Sequence, residues 1–432
     1  MIERNDGSVR ISGGNPLVGE VRVPGDKSIS HRGLLLGALA EGETKISNIA
    51  PGADVRSTMN CLGQLDVNVI EKNGQVLVEG RGPEGLEEPD RPLDAGNSGT
   101  LTRLIAGILA TRSFETKIDG DDSLRSRPME RIIEPLELMG AKIDSRGGQL
   151  PLKISGGNLN GIEYRPEVAS AQVKSCILLA GIGATGETTV EEVGPSRDHT
   201  ERILKAMGYP IEIEGNRISV DEPTSLEPLD LEVPGDFSSA SYLIAAGLLV
   251  KDSKIKLKSV GLNDTRTGFL DLLSKMGGSV EVNNLTTRNE EPRGDLIVSS
   301  SNLRGVTLTE DQVVRSIDEL PLLAVVASQA EGVTEVRGAE ELRVKETDRI
   351  SATVENLKEL GADIQELPDG FVVKGKTKLH GGDLYSFDDH RIAMSAAVAA
   401  LAAEGESALR DPEWVEVSFP RFFDVLEGLI DE

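Results

Sequence analysis

The 432-residue chain is poor in the residues that staple, stain or chelate: it has two cysteines, one tryptophan and four histidines. Two cysteines exclude a disulfide framework and a cysteine-ligated metal cluster. Cys61 and Cys176 both fall in apolar helical patterns, which reads as core in a reducing compartment. Four scattered histidines, with no HExxH spacing, argue against a metal site. Positive charge is also scarce: 46 Lys and Arg stand against 72 Asp and Glu, a formal net charge of −26. A field of that sign repels nucleic acid and anionic membranes, and no interleaving of aromatic and basic residues offsets it. Long apolar runs are missing too. The longest, Ile392 to Ala403, is too short to span a bilayer, and MIERNDGSVRISGG at the start lacks the apolar stretch of a secretory signal. These features predict a cytoplasmic protein large enough for two domains, with no metal or other cofactor and no nucleic-acid or membrane partner.

What the chain does have is repetition. A phrase made of an apolar helix, a short turn, a short strand and a polar loop recurs six times, as LAEGETKI, TRSFETKI, GATGETTV, LLVKDSKI, QAEGVTEV and AAEGESAL. Its turn residue is Gly42, Phe114, Gly186, Lys251, Gly332 and Gly405 in turn. The first five copies run on into an amphipathic helix ending CLG, LMG, AMG, KMG or ELG, a C-cap signal, and then into an alternating strand. Each unit therefore reads as βαβαββ. Three units precede the second of two VPGD tetrapeptides (residues 23–26 and 233–236) and three follow it. This predicts residues 1–23 with 237–432 as one lobe and 24–236 as the other. The VPGD turns are then hinges, and the N-terminal strands return to pair with the later half.

Cations, rare overall, gather in the loops before helices, where unpaired N–H groups favour anions. In VPGDKSISHR, helical spacing puts Lys27 above His31 and Ser28 above Arg32. Such crowding before an apolar run calls for an anion. LDAGNSGT, with Asn97 and Gly99, lets backbone approach a ligand. Arg125, Arg127 and Arg131 in DDSLRSRPMER read equally as anion forks or as surface partners of Glu130 and Glu134. ASAQVKS offers the neutral groups Ser170 and Gln172. In SRDHTER the i,i+4 pairs Arg197–Glu201 and Asp198–Arg202 favour an ordinary charged helix. In RVKETDRI helical spacing stacks Lys345 on Arg349 with Glu346 to one side, a pattern able to hold an anion and supply a proton. His390 and Arg391 open one apolar helix, and Asp318 stands at the mouth of another. The literal phosphate-loop pattern GFVVKGKT (370–377) is discarded as a β-hairpin, because no apolar helix follows it.

In order, DKSISHR, GNSGTxxR, SLRSRPM, SAQVKS, SRDHTE, RVKETDRI and DDHRIAM resemble the signature set of the 5-enolpyruvylshikimate-3-phosphate synthases, over nearly the whole chain. The resemblance implies an α/β fold of two similar domains, each of three βαβαββ repeats in an inside-out α/β barrel, with sheets outside, helices inside and the active site between domains. It implies enolpyruvyl transfer from phosphoenolpyruvate to the 5-hydroxyl of shikimate 3-phosphate by a monomeric enzyme, through addition and elimination. By motif match, Lys27, Ser28, Arg32, Ser170, Gln172, Ser196 and Arg197 are expected to bind shikimate 3-phosphate. Lys27, Asn97, Gly99, Arg125, Gln172, Lys345, Arg349 and Arg391 are expected around the substrates' anionic groups. Asp318 would take the hydroxyl proton, Lys345 and Glu346 would move the methylene proton, and His390 would assist. Val417 replaces a lysine found in some members; together with Ser98 and Ala171 it resembles the family's second class. The sister transferase acting on UDP-N-acetylglucosamine is the nearest rival, but it would carry a catalytic cysteine in the region of residues 110–130, where this chain has none. A terminal-phosphate RNA cyclase fits the charge poorly, and an inactive binding protein fits poorly with every acid and base present.

Overall fold

The computed structural model describes residues 2–5, 7–221 and 225–431. The chain divides into two compact units. One comprises residues 1–24, 234–286 and 292–432; the other comprises 25–233 with 287–291. Each has its own apolar core.

Within each unit the same small sheet recurs, because the same order of elements recurs. The strand after an apolar helix pairs antiparallel with the second strand of a hairpin and parallel with a short strand from an earlier or later segment. In the unit of residues 25–233, Glu41–Ser47 takes Gln75–Arg81 on one side and Asp230–Glu232 on the other. Glu115–Asp119 takes Leu152–Ser155 and Leu93–Asp94, and Thr188–Glu191 takes Arg217–Val220 and Glu163–Tyr164. The strand that ends the third repeat thus completes the sheet of the first.

The other unit repeats the scheme with strands borrowed from the N-terminus. Lys254–Gly261 pairs parallel with Val18–Val21, and Glu406–Arg410 pairs with Ser8–Ser12, itself in a hairpin with Ile2–Asn5. Among the described residues, five sheets have four strands and the sixth, around Gly332–Val336, has three. There the parallel partner shrinks to single bridges at Arg304 and Thr307. Among the described residues the sheets remain separate and open.

Helices come in two kinds, for a reason visible in their sequences. Lys27–Leu39, Gly99–Ala110 and Ala171–Gly181 in one unit, and Phe237–Leu249, Leu320–Ser328 and His390–Ala402 in the other, are buried on almost every face. A helix without a polar stripe can only be central. Ala53–Gln64, Glu130–Met139, His199–Ala206, Gly268–Lys275 and Arg349–Glu359 bury one face only. Of the five glycine stop signals, Gly140, Gly208, Gly277 and Gly361 take left-handed backbone. Gly63 does not, since its helix runs on to Gln64 and Asp66 turns left-handed instead. Residues 370–375 form a strand paired with Asp363–Leu367, as the hairpin reading requires. Among the described residues no helix is long and apolar enough to cross a membrane.

Candidate active site

Both VPGD turns do the same mechanical work. Asp26 accepts the N–H of Ile29 at 2.9 Å, and Asp236 accepts those of Ser238 and Ser239 at 3.2 and 3.1 Å, so each aspartate caps a central helix. A Cβ on Gly25 would lie 1.7 Å from the Asn48 carbonyl oxygen, which leaves glycine as the residue that fits. The boundary between the two units falls inside each tetrapeptide.

In the unit of residues 25–233, three central helices present their N-terminal turns. Lys27 Nζ lies 2.9 Å from Asp54 Oδ2. Arg32 is buried, its Nε donating to Thr200 Oγ1 at 2.6 Å and its Nη2 to Ser175 Oγ at 2.7 Å. A third bond, to the Ser28 carbonyl at 3.1 Å, completes a fork that ties Lys27–Leu39 to two neighbouring helices. Burial, with a smaller push from nearby Arg197 and against the pull of Glu201 and Asp26, lowers this guanidinium to about 10; it stays charged at neutral pH. His31 is a correction to the basic cluster. It is fully buried, its Nδ1 2.6 Å from Thr58 Oγ1, and burial pushes it down to about 3, so it is neutral core and not a cation.

The GNSGT loop works through its missing side chain. Ser98 caps Gly99–Ala110, and a Cβ on Gly99 would come within 2.7 Å of Arg103 Nη1 and 3.5 Å of Arg127 Nη1. Glycine thus makes room for two guanidinium groups. Arg103 donates to Gln172 Oε1 at 2.8 Å, and Gln172 Nε2 donates to Thr100 at 2.9 Å. Arg127 donates to Asn97 Oδ1 at 2.5 Å, and Asn97 donates to Asp121 at 2.7 Å.

Of the arginines in SLRSRPMER, then, Arg127 joins the loop. Arg125 lies at the surface, 47% exposed, and is forked onto Asp119 at 2.9 and 3.1 Å with Asp122 at 3.2 Å. Its partners are these aspartates and not Glu130 or Glu134.

Ser170 caps Ala171–Gly181. Ser196 donates to Glu192 Oε1 at 2.5 Å, and Arg197 is half-buried. The Asp198–Arg202 pair forms at 2.8 Å, but the carboxylate of Glu201 is taken at 2.6 Å by the buried Lys174, which also reaches Glu192 at 2.9 Å. Residue types alone conceal that lysine, since VKSC reads as apolar helix.

In the other unit the charges are denser. Arg349 is 2% exposed; its Nε meets Asp389 Oδ2 at 2.7 Å, its Nη2 meets Glu346 Oε2 at 2.6 Å, and its Nη1 lies 3.6 Å from Asp318 Oδ1. Arg391 Nη2 lies 3.4 Å from Asp318 Oδ2, and its Nη1 is 3.7 Å from Glu319 Oε1. Although burial opposes it, these carboxylates hold both guanidinium groups above the usual arginine value.

Asp389, fully buried, also caps His390–Ala402 by accepting the Arg391 N–H at 2.7 Å. Just before it, Phe387 and Asp388 both have left-handed backbone, at φ 52° and 57°, uncommon for such residues and strained for the bulky phenylalanine. His390 is buried at the start of that helix.

Lys345 and Arg349 do not stack on one helix, as their spacing suggested. Lys345 is extended, at the end of the short turn Glu340–Val344, and the helix begins only at Arg349 behind an Asp348 cap. The cap interrupts the 3.6-residue period, and Lys345 reaches the cluster from a loop. Burial lowers its ammonium below the ordinary lysine value; Arg349 adds to this, and Asp318 and Glu341 oppose it. Val417, half-buried at the end of Pro412–Val417, brings no charge.

Asp54, Lys174 and Asp389 are partners in these clusters that motif reading did not single out. The 3-phosphoshikimate 1-carboxyvinyltransferase family model, described as EPSP synthase, matches residues 11–426. The chain belongs to that family. The 3-phosphoshikimate 1-carboxyvinyltransferase of Brevibacillus brevis is 48% identical over 97% of this chain and 99% of its own, and that of Bacillus cytotoxicus is 48% identical over 96% and 98%. Among solved structures, EPSP synthase from Acinetobacter baumannii superposes with a TM-score of 0.88 at 42% identity, covering 98% of this chain and 97% of that one. The enolpyruvyl transferase NikO from Streptomyces tendae, at 20% identity, gives 0.82 over 98% and 97% and speaks to the fold alone.

Proposed function

We propose that this member of the EPSP synthase family transfers the enolpyruvyl group of phosphoenolpyruvate to the 5-hydroxyl of shikimate 3-phosphate, with no metal or cofactor. The observation that carries the reading is the Asp318 cluster: one carboxylate within 4 Å of both Arg349 and Arg391. A base for the hydroxyl and two cations for the anionic donor then share one point. In the addition step the 5-oxygen bonds to C2 of phosphoenolpyruvate, Asp318 takes the hydroxyl proton, and the methylene carbon gains a proton from Glu346 or Lys345. In the elimination step that carbon returns a proton and the C2–O bond to phosphate breaks. Acid–base assistance of this kind contributes about 10²- to 10⁴-fold.

Lys27, Ser28, Arg32, Ser170, Gln172, Ser196 and Arg197 hold shikimate 3-phosphate in this reading. Lys27, Asn97, Gly99, Gln172, Arg349 and Arg391 surround phosphoenolpyruvate, and Arg125 joins them by exchanging Asp119 for substrate. The same reading makes the protein a cytoplasmic monomer. Cys61 and Cys176 are buried thiols, both pushed up to about 12 by burial, which suits a compartment without oxidising chemistry.

The test is phosphate release. The purified protein should liberate phosphate from phosphoenolpyruvate when shikimate 3-phosphate is supplied, in the presence of chelator, and not without it. Turnover with UDP-N-acetylglucosamine in its place would overturn the substrate assignment.

A further inference from the structure

Arg266 lies outside every motif that the family resemblance draws on, in the loop after Lys254–Gly261. Its side chain is 5% exposed. The loop is closed on itself: Asn263 Oδ1 accepts from Thr265 N at 2.9 Å and from its hydroxyl at 2.7 Å, while Arg266 N donates to the Asn263 carbonyl at 2.8 Å. From that turn Arg266 Nη2 donates to Ser238 Oγ at 2.5 Å and stands 3.6 Å from Glu319 Oε1; Nη1 stands 3.7 Å from Asp318 Oδ2. Asp236, the cap of the second VPGD turn, is 4.0 Å away.

Three guanidinium groups therefore surround Asp318. Two of them, Arg349 and Arg391, are claimed for the anionic substrate by the proposed reaction, on which this inference rests. Once they turn to substrate, Asp318 would stand beside Glu319, a second carboxylate, without either. Arg266 is fixed by Ser238 and Glu319 and is walled in. We propose that Arg266 is a positioning residue: it holds the Asp318 carboxylate in its working orientation and keeps one cation beside it throughout turnover. The other charges facing this point are Lys345 on the loop before Arg349, Asp389 and Glu346 on Arg349 itself, and Asp236 behind Arg266.

The experiment uses the full chain with Arg266→Met and Arg266→Lys, folding being checked by circular dichroism and phosphate release measured from pH 5 to 9. For Arg266→Met, kcat should fall by about 10²-fold, as a displaced catalytic group does. The KM for phosphoenolpyruvate should stay within about twofold, and the acid limb of kcat/KM should move up by about one pH unit or more, because a carboxylate that loses a neighbouring cation ionises less readily. Arg266→Lys should keep the acid limb near wild type while kcat falls. Should Arg266→Met fail to fold, Arg266→Lys alone decides: lower kcat with the acid limb in place supports the proposal, and unchanged kcat overturns it. A folded Arg266→Met with a wild-type pH profile, or with raised KM and wild-type kcat, overturns it too. A wild-type protein that releases no phosphate removes the proposed function and this inference with it, whereas an active wild type with unaltered variants removes the inference alone.

Discussion

At the scale of single residues, two neighbouring basic side chains do opposite work. His31 and Arg32 are adjacent and both buried, yet one is neutral and the other charged. The difference lies in where each begins: burial lowers both, but Arg32, falling to about 10, stays charged, whereas His31 falls from its ordinary 6.5 to about 3. Arg32 also has hydrogen-bond acceptors for three of its nitrogens, whereas His31 meets a threonine hydroxyl at Nδ1. A histidine held near 3 when folded and near its ordinary 6.5 when unfolded binds a proton first in the unfolded chain. Its contribution to stability is complete above pH 6.5 and drains away as pH falls from 6.5 toward 3. Replacing it by glutamine removes this acid penalty. Wild type should lose about 2 kcal/mol more than His31→Gln between pH 6.5 and 5, seen as a steeper fall in the thermal midpoint. Parallel midpoints for the two proteins would mean that the imidazole is solvated after all. The histidine in DKSISHR carries a signal of chemistry in sequence, and only its depth in the helix shows that it has none of its own.

At the scale of elements, the buried helices were legible because an all-apolar helix has one place to go, and the caps were legible because aspartate after glycine is a start signal. Period failed where a cap interrupts it: RVKETDRI has helical spacing, but Asp348 starts the helix only after Lys345 and Glu346 have passed. Arg125 shows another limit of reading sequence alone. An exposed arginine and one aimed at a ligand have the same neighbours in sequence, and Asp119, its partner, belongs to the preceding strand.

Lys174 was hidden in an apolar run, and here the consequence is large. With 2% of its side chain exposed, it joins Ala171–Gly181 to Glu201 on the next helix and to Glu192, which in turn holds Ser196. Burial raises Glu201 above the ordinary carboxylate value, while Lys174 opposes that rise. Deleting the cation leaves that buried carboxylate uncompensated. Lys174→Met should cost about 3–5 kcal/mol in urea unfolding, and Lys174→Met with Glu201→Leu should recover much of it, since a matched apolar pair restores the balance. Equal loss in the single and double variants would show that the lysine acts through packing and not charge.

At the scale of the whole molecule, the proposed reaction draws on residues of both units. The residues assigned to shikimate 3-phosphate sit at helix starts in the unit of residues 25–233, while Asp318, Lys345, Glu346, Arg349 and Arg391 all belong to the other. Neither can complete the proposed reaction alone. The chain crosses between the units inside both VPGD tetrapeptides, where each aspartate caps a rigid central helix. Motion confined to those turns would swing each cationic cluster as a body. In the proposed reaction an anionic substrate would have greater affinity for an arrangement in which both clusters reach it, and ligand binding would shift the population by that difference. With shikimate 3-phosphate at saturation the radius of gyration in solution scattering should fall, and adding phosphate alone should leave it unchanged. Replacing Gly25 by alanine, which drives a Cβ into the Asn48 carbonyl, should blunt the response by deforming one crossing. Superimposable profiles with and without shikimate 3-phosphate, in protein that turns over, would mean that the two halves of the site are already in register before substrate arrives, and that the repeated tetrapeptide serves as a helix cap only.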